Sequence, residues 1–232
     1  MKKSKTSADY SKEAYSKEKL SYESYAEKLR LEKITTLVEG KNKKILDIGC
    51  YDGTLGNILI KNKNEVYGLE INKEVAEIAK KKGLRVKVQN IESGFGFKDN
   101  FFDVCLAGEI IEHIVDTDFF IDEIKRVLKP NGYLVLSTPN VASFGRRLLL
   151  LLGKNPYFEA SYGFPPEALA GHIRFFTKDL LLSFLKYKGF EIITFTSDVV
   201  NFTSSGSLSN KLIADIFPTL GHCLIVKAKL IK

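Results

Sequence analysis

The 232-residue chain is long enough to bury a core of its own, since 44% of its residues are hydrophobic and 27% are charged. Its three cysteines match no zinc-ligand spacing, and the polar start, Met1–Lys19, does not resemble a signal peptide. The leucine run Leu148–Leu152 is too short to span a bilayer. Composition therefore favours a cytoplasmic globular protein with reduced cysteines over a secreted or membrane-spanning one.

The net charge of +7 is concentrated near the N-terminus, where residues 1–44 hold 12 Lys/Arg and 7 Asp/Glu against 23 and 21 in the remainder. Residues 1–8 have no structural pattern, whereas residues 10–38 lack Pro and Gly and predict one or two amphipathic helices ended by Gly40. We therefore expect an N-terminal helical segment, residues 1–40, that acts as a lid on a domain formed by residues 41–232.

From Lys44 onward, apolar strands alternate with helices, which predicts a mostly parallel sheet covered on both faces. The expected strands are 44–48, 65–70, 85–89, 102–107, 133–137, 190–195 and 222–231, and the expected helices are 54–61, 73–82, 118–128, 144–152 and 177–188. Lys129-Pro130-Asn131-Gly132 should stop the third of these helices, and Thr177 should cap the last. Residues 141–175 interrupt the pattern and predict a second lid.

The first strand leads into a glycine-rich turn, Asp47-Ile48-Gly49-Cys50-Tyr51-Asp52-Gly53. Glycine at such a turn lets the backbone approach a ligand without a Cβ in the way. The second strand ends in Glu70, whose carboxylate either binds a ribose diol or simply faces solvent. The dinucleotide spacing G-x-G-x-x-G is absent, which disfavours an NAD-dependent oxidoreductase. Asp47, just before the turn, suits a cationic ligand.

This segment resembles the first motif of the class I S-adenosylmethionine-dependent methyltransferases, except that Tyr51 replaces their usual middle glycine. The resemblance implies a doubly wound, Rossmann-like α/β fold with seven strands in the order 3-2-1-4-5-7-6 and the last strand antiparallel. It also implies S-adenosylmethionine as cofactor. The residues that it assigns to cofactor binding are Asp47, Gly49, Cys50, Tyr51, Asp52, Gly53, Glu70, Ile71, Asn90, Ile91, Gly108 and Glu109.

A second cluster, Glu109, Glu112 and His113, follows the fourth strand, at the sheet edge where such folds place their sites. If the stretch is a helical turn, the three side chains share one face. It resembles a motif of quinone-biosynthesis, surface-glycan and small-RNA O-methyltransferases, some of which bind a divalent metal there with a further ligand at the position of His172. Three hypotheses remain open: His113 acts as a catalytic base beside Glu112, the four residues bind Mg, Mn or Zn, or the cluster is structural.

The sequence leaves the methyl acceptor, the methylated atom and the oligomeric state open. A small molecule or a glycan precursor is the expected acceptor, whereas a nucleic acid is disfavoured because no RNA-binding motif is present. A methyltransferase-like binding subunit without turnover and an RNA 2′-O-methyltransferase are the alternatives. Arg146, Arg147 and Arg174 could meet an anionic substrate, His222 is expected to pack or face solvent, and the Leu148–Leu152 helix is expected to be buried.

Overall fold

The computed structural model describes residues 24–156, 171–202 and 208–231. Expectations for residues 1–23, including the first part of the N-terminal helices, lie outside the described residues. So does the middle of the 141–175 insertion. The helices are α1 (Tyr25–Leu37), α2 (Thr54–Lys61), α3 (Lys73–Lys81), α4 (Thr117–Val127), α5 (Phe144–Leu151), α6 (Lys178–Tyr187) and α7 (Lys211–Ile216). The strands are β1 (Lys44–Ile48), β2 (Glu65–Glu70), β3 (Arg85–Val88), β4 (Phe102–Gly108), β5 (Leu128–Pro139), β6 (Phe190–Ser197), β7 (Val200–Asn201), β8 (Ser209–Asn210) and β9 (Cys223–Leu230).

Seven of these strands form one sheet in the order β3-β2-β1-β4-β5-β9-β6. The neighbours from β3 to β5 pair in parallel, whereas β9 is antiparallel to both β5 and β6. Among the described residues, the short strands β7 and β8 form a separate two-stranded sheet. Strand β9 is therefore the seventh strand of the main sheet, and the expected order with an antiparallel last strand is confirmed.

The alternation of side chains along β1 explains why both faces of the sheet are covered. Leu46 and Ile48 belong to a cluster that includes buried residues of α4 and α6. Ile45 belongs to the opposite cluster, with buried residues of α1, α2 and α3. Each face thus buries its own apolar layer, as a doubly wound fold requires.

The start of β5 differs from the expected turn at residues 129–132. Strand β5 begins at Leu128, directly after α4, and its pairing with β4 shifts register between Phe102 and Val104. Asn131 adopts a left-handed φ of 63°, and a Cβ on Gly132 would lie 2.9 Å from the backbone oxygen of Lys129. The turn residues therefore form an irregularity inside the strand, because the chain resumes pairing at once.

The expectation of a buried leucine helix was wrong. No residue of α5 is buried, and Leu151 and the following Leu152 are 81% and 69% exposed. The cysteines, in contrast, are free and buried as expected. Among the described residues, no helix combines the length and apolar character that a membrane crossing needs.

Candidate active site

The glycine-rich turn after β1 is built from left-handed backbone. Gly49, Tyr51 and Gly53 have φ of 71°, 45° and 74°. A Cβ on Gly53 would lie 2.8 Å from the Cβ of Ala79, so glycine is required there for packing as well as for conformation. Tyr51 takes a conformation that non-glycine residues rarely adopt, at the position where related turns have glycine. Its N–H donates to Glu70 Oε2 at 3.1 Å, which ties the turn to β2.

Asp47 lies beneath this turn and is only 4% exposed. Its Oδ2 has no hydrogen-bond partner among the residues that the structure describes. Burial, followed by the neighbouring carboxylates Glu70 and Asp52, raises the pKa of Asp47 to about 7. A cation bound beside this carboxylate would stabilise its ionised form. This agrees with the expectation that Asp47 faces a cationic ligand.

A small cavity of about 60 Å³ lies beside the tip of β2. Its walls include the expected cofactor residues Gly49, Glu70, Ile71, Asn90 and Ile91. Glu70 is 7% exposed and accepts hydrogen bonds from the backbone of Tyr51 and Asn72, while burial raises its pKa. Its carboxylate is thus fixed in place before any ligand binds.

Three expected cofactor residues, Tyr51, Asp52 and Gly53, belong to the turn but line neither cavity. Asp52 accepts from the backbone N–H of Thr54 at 3.0 Å and pairs with Lys82 at 2.6 Å. Tyr51 likewise contributes its backbone to Glu70. The glycine-rich motif therefore contains residues that line a cavity and other residues that stabilise the turn itself.

A larger cavity of about 310 Å³ opens at the carboxyl ends of the parallel strands. Asp47, Cys50, Gly108, Glu109, Glu112, His113 and His172, all of which the sequence singled out, line it. Arg30 of α1 and His222, just before β9, line it too, although the sequence analysis assigned neither to the site. His113 borders both cavities, so the two spaces meet at its ring.

Glu109 is held by partners from several elements. It pairs with Arg30 at 3.0 Å and accepts a hydrogen bond from Ser137 Oγ at 3.0 Å, while Cys223 Sγ lies 3.1 Å away. Burial alone would raise the pKa of Glu109, but Arg30 and these hydrogen bonds lower it below its usual value. Glu109 is therefore an ionised anchor for α1.

The expected helical turn is shorter than the motif. Only Ile111–His113 form a 3₁₀ turn, and Glu109 before it has a left-handed φ of 53°. Glu109 therefore lies outside the turn that contains Glu112 and His113. The condition for a shared helix face is therefore not met, although Glu109, Glu112 and His113 all line the large cavity.

Glu112, His113 and His172 do come together, with one potential ligand atom from each within 4.8 Å of the others. Glu112 Oε1 lies 4.0 Å from Nε2 of both imidazoles. Glu112 is 1% exposed, and its Oε1 has no hydrogen-bond partner in the described parts of the chain. Burial and then Glu109 raise its pKa well above the usual value. One buried carboxylate and two imidazoles form a donor set that fits a divalent metal.

A backbone contact orients the His113 ring, and backbone hydrogen bonds fix the segment that carries His172. His113 Nδ1 lies 3.2 Å from the carbonyl oxygen of Gly171, which leaves Nε2 facing Glu112. Burial lowers the pKa of His113, and burial together with His113 lowers that of His172 to about 4. The backbone N–H groups of Ile173 and Arg174 donate to the Glu112 carbonyl, so the segment carrying His172 is fixed beside the 3₁₀ turn.

The three arginines considered for an anionic substrate have different surroundings. Arg174 donates to the backbone oxygens of Ile114 and Val115 and so holds the His172 segment. Arg147 donates to the carbonyl of Ala142 at 2.5 Å. Only Arg146 lines the large cavity.

The seven-stranded sheet, the turn after β1 and the acid at the tip of β2 together define the class I S-adenosylmethionine-dependent methyltransferases. A profile described as a methyltransferase domain matches residues 22–194, more than half of the chain, and the protein belongs to that family. The cofactor of the class, S-adenosylmethionine, is the one that the resemblance implied.

Curated relatives have related names. The ubiquinone biosynthesis O-methyltransferase of Pelagibacter ubique (strain HTCC1062) is 38% identical over 104 residues, which are 43% of this chain and 43% of that protein. The enzyme of the same name from Bartonella bacilliformis is 36% identical over 102 residues, 42% of this chain and 41% of that protein. The matches thus span less than half the length of these relatives.

Solved structures share the fold over most of the chain. A methyltransferase from Thermotoga maritima, described as a possible histamine N-methyltransferase, has a TM-score of 0.65 and 21% identity, covering 88% of this chain and 89% of its own. One from Methanosarcina mazei has a TM-score of 0.59 and 24% identity, covering 85% and 96%. At these identities the similarity establishes the architecture.

Proposed function

We propose that this protein transfers the methyl group of S-adenosylmethionine to a hydroxyl oxygen of a small molecule. The observation that carries the proposal is that the cofactor residues and the Glu112–His113–His172 cluster line adjoining cavities that meet at His113. With the adenosine in the first cavity and the methionine in the second, the sulfonium methyl would lie near this junction, within reach of an acceptor in the second cavity. The names of the ubiquinone-biosynthesis relatives favour oxygen as the methylated atom.

The cofactor fits these cavities by charge and shape. Glu70 would accept the ribose hydroxyls, and Asn90 and Ile91 would border the adenine. The methionine part is a zwitterion, and the large cavity offers both Asp47 for its ammonium group and Arg30 for its carboxylate. The unpartnered Oδ2 of Asp47 supports this placement, since an ammonium group would satisfy it.

Methyl transfer is an in-line displacement that depends on alignment and exclusion of water. Glu112, His113 and His172 would hold a divalent metal, which when bound would polarise and orient acceptor oxygens. The two imidazoles suit Mn²⁺ or Zn²⁺ better than Mg²⁺, which prefers oxygen ligands. Helix α1, latched by the Arg30–Glu109 pair, would act as the lid over the bound cofactor.

Isothermal titration calorimetry with S-adenosylmethionine tests the cofactor, and absence of binding at millimolar ligand would overturn the proposal. Transfer of a radiolabelled methyl group should then be screened against phenols, catechols, uronic acids and neutral sugars. Product from any hydroxyl acceptor would exclude a binding subunit without turnover. The kind of acceptor that yields product, phenolic or sugar, would separate the small-molecule from the glycan alternative. Labelling of RNA alone would contradict the proposed acceptor class.

A further inference from the structure

Two residues outside the recognised motifs meet at the same edge of the sheet as the site. Asp198 directly follows β6, and His222 directly precedes β9. Because β9 runs antiparallel to its neighbours, its beginning lies where the parallel strands end. The backbone there is fixed, since His222 N–H donates to the Val199 carbonyl at 2.7 Å and its own carbonyl accepts from Asn140 N–H at 2.9 Å.

Asp198 is completely buried and has one oxygen in use and one without a partner. Its Oδ1 accepts from the backbone N–H groups of Val199 at 2.7 Å and Cys223 at 2.9 Å. Its Oδ2 has no hydrogen-bond partner among the described residues and lies 3.9 Å from Nδ1 of His222. A small rotation of the imidazole would close this gap, as is common for catalytic pairs that tighten when ligand binds.

The His222 ring presents different atoms to its two sides. Nδ1 is buried on the side of Asp198, whereas the side chain as a whole is 37% exposed and lines the large cavity. Nε2 lies across the ring from Nδ1 and therefore on the side away from Asp198. With a proton on Nδ1 shared with Asp198, Nε2 would offer a lone pair to a molecule in the cavity.

His113, the other candidate base, is placed differently. Its Nδ1 lies against the Gly171 carbonyl, and its Nε2 faces Glu112 and, with His172, belongs to the cluster that fits a metal. Its basic nitrogen is therefore directed at that cluster. His222 is the remaining histidine of the chain, and it lines the large cavity without belonging to that cluster.

We propose that His222, oriented by Asp198, is the general base that takes the proton of the acceptor hydroxyl. This inference rests on the proposed O-methyl transfer. As the acceptor oxygen forms its bond to the methyl carbon, the carbon–sulfur bond breaks and its electron pair returns to sulfur. The O–H bond breaks, and its proton moves to Nε2 of His222. The products are a methyl ether, S-adenosylhomocysteine and an imidazolium paired with Asp198.

The charges around His222 keep it in the form that a base needs. Burial is the largest influence and lowers its pKa, and Arg146 and Arg30 lower it further. Asp198 and Glu109 raise the pKa of His222. The His172 imidazole is also close enough to interact with it electrostatically. The net result is a pKa below the usual value, so His222 is neutral at neutral pH and can accept a proton.

Long-range ¹H–¹⁵N spectra of the protein with S-adenosylhomocysteine bound test the orientation directly, because the chain has only three histidines to assign. His222 should carry its proton on Nδ1. Asp198→Asn should move that proton to Nε2, because the amide would donate to Nδ1. The exposed carboxylate of Glu191, on β6, provides the control Glu191→Gln, which should change nothing. A proton on Nε2 of His222 in the unmodified protein would overturn the inference.

Kinetics with a hydroxyl acceptor that turns over in the methyl-transfer screen test the role. His222→Gln should lower kcat by about 10²- to 10⁴-fold and abolish the loss of kcat/KM toward acidic pH, with S-adenosylmethionine affinity retained. Asp198→Asn is a second variant in case the first misfolds, and it should lower kcat in the same direction. An unchanged kcat and pH profile in a variant that binds cofactor would refute the inference. Failure of the unmodified protein to bind cofactor would instead refute the proposed function.

Discussion

Asp47→Asn should make the ligand-free protein more stable while weakening cofactor binding. Asp47 is buried, and its pKa is raised from 3.8 to about 7, so ionising it in the folded protein is costly. Asparagine has nearly the same shape and does not ionise. The substitution therefore removes that cost and also removes the charge that would bind the ammonium group of S-adenosylmethionine.

The size of the effect depends on pH in a defined direction. A pKa raised on folding favours the folded state below 3.8, and this benefit is lost as pH rises toward about 7. At pH 8 the wild-type side chain must ionise against its surroundings, which corresponds to up to about 4 kcal/mol in the free energy of unfolding. At pH 5.5 the difference falls to about 2 kcal/mol. The advantage of Asp47→Asn should thus roughly double between these pH values.

Urea unfolding of the ligand-free protein at pH 5.5 and pH 8 measures this difference, with Glu191→Gln as a carboxylate-to-amide control at an exposed position. Calorimetry should show that Asp47→Asn weakens S-adenosylmethionine binding by about 2 kcal/mol, roughly 30-fold, the value of a charge-assisted hydrogen bond. A variant that is less stable than wild type at pH 8, or equally stabilised at both pH values, would refute the reasoning about Asp47.

Other predictions concern the Glu112–His113–His172 cluster, the Arg30–Glu109 ion pair and the turn just before β9. Glu112→Gln should abolish calorimetric binding of Mn²⁺ or Zn²⁺ and leave S-adenosylmethionine affinity unchanged; retained metal binding would place the metal elsewhere. Arg30→Met should leave Glu109 without its cation and lower the free energy of unfolding by about 3 kcal/mol, measured in urea, and a neutral result would mean that solvent replaces the pair. Gly221→Ala should lower thermal stability by several degrees, because its Cβ would meet Ser197 Oγ at 1.6 Å. An unchanged Tm would show that this end of the sheet rearranges freely.

Much of the fold could be predicted because its signals are local. Apolar runs, terminal glycines and capping residues predicted the boundaries of most helices and strands to within a residue or two. The Thr177 hydroxyl caps α6 as expected. The α5 helix shows the limit of such signals. Five adjacent leucines indicate burial only if other elements surround them, and the described neighbours leave Leu151 in solvent.

The site residues that belong to contiguous sequence motifs could be predicted. Those that the fold brings in from distant parts of the chain could not. Asp47, Glu70 and the Glu112–His113 pair lie within or beside recognisable strands and all line cavities. Arg30 and His222 have no local signal, because each reaches the site from a distant part of the chain. The antiparallel direction of β9 could have indicated His222, since it brings the start of that strand to the carboxyl edge.

The position of β9 between β5 and β6 also affects how the protein is made. During translation both of these strands leave the ribosome before β9 does, and each therefore has an edge with unpaired backbone groups until residues 223–230 arrive. The β1–β4 half can pair earlier, since its partners are consecutive or nearly so in the chain. We expect nascent chains that stall before β9 to depend on chaperones, with the cofactor side formed and the His222 side missing.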